Sequence, residues 1–425
     1  MLLFRTGSPT TRLARGDLRD GLRQALDKLG ARRKVIAVPP DFTRVHSHAG
    51  LLTELAWEYY GNRLTDVLPA TGTHFPMTGS EISRMFGEVP AEKFRVHHWR
   101  NGLTPLGCVP GDFVREVSAE TVGYDIPFEI DSLLTSGGHD LILSIGQVVP
   151  HEVIGVSGYN KNIFIGAGGG EGIHKTHFLG AAFGMERIMG RADTPVTRVL
   201  NYVSDRFASH LPIVYVLTVV GPGGDHGEPV VRGLFIGDDI ECFRRAAALS
   251  LQVNLRLLDR PLKKVVVYLD PSEYKSTWLG NKSIYRTRMA IATGGELIVL
   301  APGVDHFGED EEIDRLIRAY GYIGTGKVLE LVNGKSDLAR SLGTAAHLIH
   351  GSTEGRFAVT LCPGKLTREE VEKANFQYAD VRSMMHRYDP EKLREGINTM
   401  PGGEEVFYIS NPGLGLWAAK ERFSD

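Results

Sequence analysis

The sequence has 425 residues, 42% of them apolar and 23% charged, with a formal net charge of −3. That length suits two or three domains. The near-balanced charge excludes a global basic field for nucleic acid or an anionic membrane.

Residues 1–15 mix short apolar pieces with arginine and threonine and lack the continuous apolar core of a signal peptide. No run approaches the roughly 18 apolar residues of a membrane helix. Cys108, Cys242 and Cys362 are far apart and form no zinc-binding spacing, which points to a reduced compartment. The expectation is a cytoplasmic protein with no nucleic-acid or membrane partner, its oligomeric state open.

Residues 34–38 form a β-rich run that ends at Pro39 and Pro40. A helix is predicted over 49–60, a strand over 66–70 and a helix over 79–86. Short strands are predicted over 94–99 and 114–117. The nearly continuous apolar run 140–145 has the pattern of a buried parallel strand. Residues 171–191 turn helical, 213–220 read as a strand, and 238–258 as a long helix with Phe243, Ala247, Leu251 and Leu255 on one face. A second series follows: strand 264–270, helix 284–293, strand 296–301, helix 310–320, strand 355–361, helix 367–376 and strand 405–409, which closes the sheet. The strand–helix alternation predicts two α/β domains with mostly parallel sheets, 1–260 and 261–425, joined near the long helix. The active site is expected in the cleft between them.

In open α/β sheets ligands bind beyond the carboxyl ends of the strands. The first strand is followed by Asp41-Phe42-Thr43-Arg44, the next by Thr71-Gly72-Thr73-His74, and the 140–145 run by Gly146-Gln147-Val148-Val149-Pro150-His151-Glu152. Farther on, Lys161 stands between Asn160 and Asn162, and a glycine-rich stretch over 166–172 leads into His174 and His177. A partly buried lysine can have a lowered pKa and act as a nucleophile. His174 and His177, three apart on a helix, share roughly one face. Singly, each of these residues is as readily a core or surface group, and Arg44 as readily an ion-pair partner of Asp41. No phosphate loop, nucleophile elbow or HExxH helix is present, and the glycine run does not form GxGxxG after a clean strand.

The combination of Asp41-x-x-Arg44, the Thr-Gly-x-His74 turn, Pro150-His151, Lys161 ten residues on and His177 sixteen beyond that resembles the lactate racemase family. The resemblance implies a nickel pincer nucleotide, a pyridinium mononucleotide with two sulfur arms and a nickel–carbon bond. By that resemblance Lys161 is its covalent attachment point, His177 the nickel ligand, and Asp41 and Tyr285 further cofactor contacts. His74 and His151 are then the two acid–base groups, and Arg44 clamps the substrate carboxylate. The implied activity is racemisation or epimerisation of a 2-hydroxy acid by proton-coupled hydride transfer. The implied partners are the small-molecule substrate and the cofactor-maturation enzymes.

The second half departs from the family pattern. Where the family has Tyr-Gln-x-x-Lys, this chain has Tyr285-Arg286-Thr287-Arg288-Met289, so Arg286 or Arg288 is expected to replace the missing cation at the substrate. Around Lys161 the sequence reads Ser157-Gly158-Tyr159-Asn160-Lys161 in place of Ser-Gly-Gly-x-Lys. These departures leave open which 2-hydroxy acid is turned over. Two other readings of the residues remain: a nickel-independent lyase with a Schiff base on Lys161, and a non-catalytic protein that binds the nickel cofactor.

Overall fold

The computed structural model describes residues 1–223, 229–413 and 415–423. The chain divides into two compact units: Met1–Leu179 with Met189–Asn254, and Gly180–Ile188 with Leu255–Asp425. The break at Asn254 and the short segment lent to the second unit differ from a single cut at 260/261.

The first unit is built on a six-stranded sheet in the order Leu2–Gly7, Pro229–Gly237, Ile213–Pro222, Leu141–Gln147, Val35–Val38, Leu64–Val67. The last four strands are mutually parallel, and the first two join antiparallel. Alternate residues of one strand enter different cores: Ile36 and Val38 one, Val35 and Ala37 the other. Covering on both faces is why these strands read as unbroken apolar runs rather than alternating ones.

The second unit has a sheet ordered Gln377–Tyr378, Phe357–Pro363, Ile291–Ala301, Leu262–Tyr268, Glu405–Ile409, Gly396–Thr399. Every pair is parallel except the last. The fold class is therefore α/β with mostly parallel sheets. Glu405–Ile409 lies inside this sheet, and the edge belongs to Gly396–Thr399.

Several local expectations are corrected. Residues 114–117 are part of a helix, Gly111–Val117, which follows Pro110 and whose Gly111 N–H donates to Asp125 at 2.7 Å. Residues 94–99 form no strand beyond one bridge from Phe94 to Val67. The helical run 171–191 breaks at Gly184, whose φ of +115° ends Gly170–Phe183 before Met185–Ile188. The long helix is Ile240–Asn254, and Leu255–Leu258 leaves it to pair with Leu416–Ala419. The predicted helix 284–293 stops at Thr287, because Ile291–Ala301 is a central strand. Among the described residues no helix is long and apolar enough to cross a membrane.

The second unit also buries an imidazole. His347 stacks on Trp278 at 4.4 Å, accepts from Tyr322 Oη at 3.0 Å and lies near Asn281. Burial, with a smaller contribution from neighbouring His350, pushes its pKa from 6.5 to about 3. The unfolded ring binds a proton below pH 6.5 while the folded ring stays neutral, so stability is full above that pH and falls as pH drops towards 3. By pH 5 the loss from this one group is about 2 kcal/mol. Urea denaturation at pH 7.5 and 5 should show this slope, and His347→Gln should remove that share of it.

Candidate active site

The parallel strands Leu64–Val67, Val35–Val38 and Leu141–Gln147 are neighbours, so their carboxyl ends share one edge of the sheet. Asp41 follows the central strand and caps the short helix Phe42–Ser47. Its Oδ1 accepts from Thr43 N at 3.1 Å and from Thr43 Oγ1 at 2.5 Å. Its Oδ2 faces His74 Nδ1 at 2.5 Å. Burial alone would raise the Asp41 carboxyl, but His74, Thr43 and the Arg44 charge outweigh it and hold the pKa below the usual range. An ionised Asp41 only accepts, so Nδ1 of His74 donates and the lone pair of the neutral ring lies on Nε2. The His74 side chain is 57% exposed. Its turn is anchored by Gly72 N–H to Gly166 O at 2.8 Å and by its own N–H to Thr71 O at 3.0 Å.

The Asp41–Arg44 ion pair that the sequence allowed does not form. Arg44 is partly buried at a kink in the short helix and pairs with no carboxylate among the described residues. Its charge is instead felt at Lys161. A guanidinium in this condition suits a carboxylate brought by a ligand.

From Gln147 the chain makes a small hairpin, Pro150–His151 against Gly155–Val156. His151 is buried at 5% exposure, and its Nδ1 accepts the Val153 N–H at 3.1 Å. The neutral ring therefore carries its proton on Nε2. The Glu152 carboxylate lies 3.6 Å from Nδ1 and is a counter-charge when the ring takes a second proton. In the sequence the one signal for a role of Glu152 is its place next to His151.

Lys161 is held by its neighbours. Asn160 Nδ2 donates to Asn201 Oδ1 at 2.9 Å, and Tyr215 Oη donates to Asn160 Oδ1 at 2.5 Å. Asn162 Nδ2 donates to Val38 O at 2.8 Å and contacts Ser144 Oγ at 3.1 Å. Gly158, at φ +94°, permits the turn, and a Cβ there would press to 3.0 Å on Val148. Burial, then the Arg44 charge, pushes the Lys161 ammonium down to about 8, against the opposing pull of Glu152 and Asp41. Asp41, Arg44, Glu152 and Lys161 therefore belong to one electrostatic neighbourhood, joined to His74 and His151 by direct contact.

His177 lies on the helix Gly170–Phe183 and is partly buried. Its Nδ1 donates to Ile173 O at 2.6 Å, which fixes the tautomer with the lone pair on Nε2. A ligating histidine commonly has this support. His174 packs edge-on to Trp99 at 5.9 Å, and burial lowers its pKa.

In the second unit Tyr285 is buried edge-on to His350 at 6.1 Å. Arg286 is 1% exposed, with its guanidinium 3.5 Å from Gly415 O. Arg288 bonds Glu186 at 3.3 Å and Ser352 O at 3.1 Å, and Arg356 shares Glu186 at 2.5 Å. Arg288 is thus engaged in a buried network of its own unit.

Residues 21–187 match the model of the lactate racemase N-terminal domain. This part of the chain is similar to the N-terminal domain of the lactate racemase family. A crystal structure of a protein from Thermotoga maritima is similar, with 25% identity, 96% of this chain and 99% of the other covered, and a TM-score of 0.80. The lactate racemase apoprotein from Thermoanaerobacterium thermosaccharolyticum shares the fold at 18% identity, covering 94% and 92% of the two chains, with a TM-score of 0.69. No curated protein sequence matched the chain.

The Lys161 environment sets a test on the unloaded protein. Acylation of Lys161 by an amine-reactive reagent, mapped by peptide mass, should show a pH midpoint near 8. Arg44→Gln should raise that midpoint, because it removes a cation that disfavours the ammonium. Glu152→Gln should lower it.

Proposed function

We propose that this protein is an isomerase that racemises or epimerises a 2-hydroxy acid, using a nickel pincer nucleotide linked covalently at Lys161 and bound through its nickel by His177. The observation that carries the reading is the gathering of two oriented imidazoles, an Arg44 without a carboxylate partner among the described residues and a low-pKa lysine around adjacent strand ends. The residues fit the cofactor: Lys161 offers an amine at moderate pH, and the Nδ1–H of His177 is committed to Ile173 O, so its lone pair is on Nε2. Imidazole with sulfur and carbon donors suits square-planar nickel. When bound, the cofactor supplies a hydride acceptor, which spares the substrate a carbanion beside its carboxylate.

The chain's own groups supply the rest. Arg44 binds the substrate carboxylate through its planar fork. His74, through Nε2, takes the hydroxyl proton, and the buried Asp41 carboxylate stabilises the resulting imidazolium as its Nδ1–H donor stays in place. His151 donates its Nε2 proton as an imidazolium whose second proton, on Nδ1, faces the Glu152 carboxylate in place of the Val153 N–H, and the ring left with its lone pair on Nε2 is the acceptor for the opposite enantiomer. Two imidazoles allow either face of the same carbon to be served near neutral pH. Tyr285 and Arg286 are proposed as cofactor and substrate contacts. Arg288, held by Glu186, is the weaker candidate for that role.

The same lysine supports one competing reading, a Schiff base with a carbonyl substrate in a nickel-independent lyase, since a lowered pKa favours that chemistry too. A third reading is a binding protein for the cofactor without turnover; the paired imidazoles speak against it.

Production alongside the cofactor-maturation enzymes tests the reading. Intact mass should show an adduct that maps to Lys161, with nickel in proportion to the chain. An unmodified Lys161, while a control racemase loads in the same cells, together with borohydride trapping of a carbonyl substrate on Lys161, would favour the lyase. His177→Ala should keep the adduct and lose nickel. His74→Ala and His151→Ala should each keep the loaded cofactor and reduce racemisation by roughly 100-fold to 10,000-fold, followed by chiral chromatography over a panel of 2-hydroxy acids. Near-normal turnover in either variant would sink the two-base scheme.

A further inference from the structure

Two polar side chains at the same strand ends have no role in the scheme above. Gln147 is the last residue of Leu141–Gln147 and is 7% exposed, and its Nε2 is buried without a hydrogen bond among the described residues. Thr71, three residues before His74, is 5% exposed, and its Oγ1 is likewise buried without one. Leaving such a group unmet costs about 1–3 kcal/mol, and native chains rarely retain one without a use.

Their surroundings point to a ligand. Ser157 Oγ donates to Gln147 O at 3.1 Å, so Gln147 lies directly under the turn that leads to Lys161. Thr71 O anchors the N–H of His74. Between these elements Gly146 is buried, yet a Cβ built on it would meet nothing within 4 Å. Side chains alternate along a strand, so that open space is on the face of Ser144, the residue that Asn162 contacts. The notch beside buried backbone is next to the Lys161 turn, and the unmet amide of Gln147 lies one residue on, on the other face of the strand, so both faces of this strand end offer features of a ligand site. Arg44, which pairs with no carboxylate among the described residues, is the cation open to an anionic ligand, and an anion presents oxygen acceptors.

We propose that Gln147 and Thr71 are ligand-binding residues of this site, donating hydrogen bonds through Nε2 and Oγ1 to oxygen acceptors of the small anionic molecule held there. The assignment rests on the proposed function for the identity of that molecule, whose acceptors belong either to the cofactor or to the 2-hydroxy acid.

The test uses Gln147→Met and Thr71→Val, which nearly keep side-chain shape and remove the unmet groups. In protein made without the maturation enzymes, each variant should melt at the wild-type temperature or about 1–3 °C above it, since no internal partner is lost. In protein made with them, a tenfold or greater fall in Lys161 adduct and nickel content assigns the contact to the cofactor. Normal loading with a tenfold or greater rise in KM assigns it to the substrate. A lower melting temperature in both variants would mark the groups as structural and overturn the proposal, as would unchanged loading with unchanged KM. If wild-type protein itself fails to load beside a working control, the proposed function falls. The melting comparison on unloaded chains then still decides whether these two groups serve the fold.

Discussion

The side-chain amide of Asn162 ties the Lys161 turn to the sheet. One Nδ2 reaches the carbonyl of Val38 and the hydroxyl of Ser144, on two adjacent parallel strands. Without it the turn would leave buried polar groups unmet on both strands, at a cost of about 1–3 kcal/mol for each. On the other side of the lysine, Asn160 is held by Asn201 and Tyr215. Lys161 is therefore fixed through the side-chain bonds of the two asparagines on either side of it in the chain, and the positions of Arg44, Glu152 and Asp41 relative to it follow from the strands that precede them. Rigid strand ends are a better support for such a constellation than free loops.

Electrostatics at this edge is a balance. Burial disfavours charge on both Asp41 and Lys161, yet the two groups respond in opposite ways. Asp41 has three hydrogen-bond donors in contact with it and remains ionised. Lys161 faces desolvation and the Arg44 cation, which together exceed the pull of Glu152 and Asp41. The outcome is an ionised carboxylate that orients one imidazole and an amine accessible at moderate pH, both within one neighbourhood. The unmet amide of Gln147 belongs to the same design, in which stability is given up where a ligand is to be met.

The second unit shows what buried cations do when their partners are internal. Arg288 and Arg356 share Glu186, and the backbone carbonyls of Ser352 and Arg288 take further donors. Breaking such a network by removing one partner is expensive, so these groups serve the fold first. The family resemblance put Arg288, beside Arg286, among the expected substrate contacts; in the structure its guanidinium bonds Glu186 and Ser352 O.

The sequence by itself determined the α/β class, the strand end at Val38, a buried strand over 140–145 that the structure extends to Gln147, and the polar residues after each, because unbroken apolar runs and the polar groups after them are local signals. It also carried the order His74, His151, Lys161 and His177. It misread 114–117 and 284–293, where short stretches of apolar and β-branched residues fit either helix or strand and the choice depends on the sheet that forms around them. It could not show the strand Leu2–Gly7, whose pairing with Pro229–Gly237 spans most of the unit. Only the tertiary structure decided that Asp41 serves His74 rather than Arg44, that Arg288 is engaged at Glu186, and that Gln147 and Thr71 keep unmet groups. Those outcomes depend on distances between residues far apart in the chain, and hydrogen bonding and desolvation act on distance in space, which spacing along a sequence does not encode.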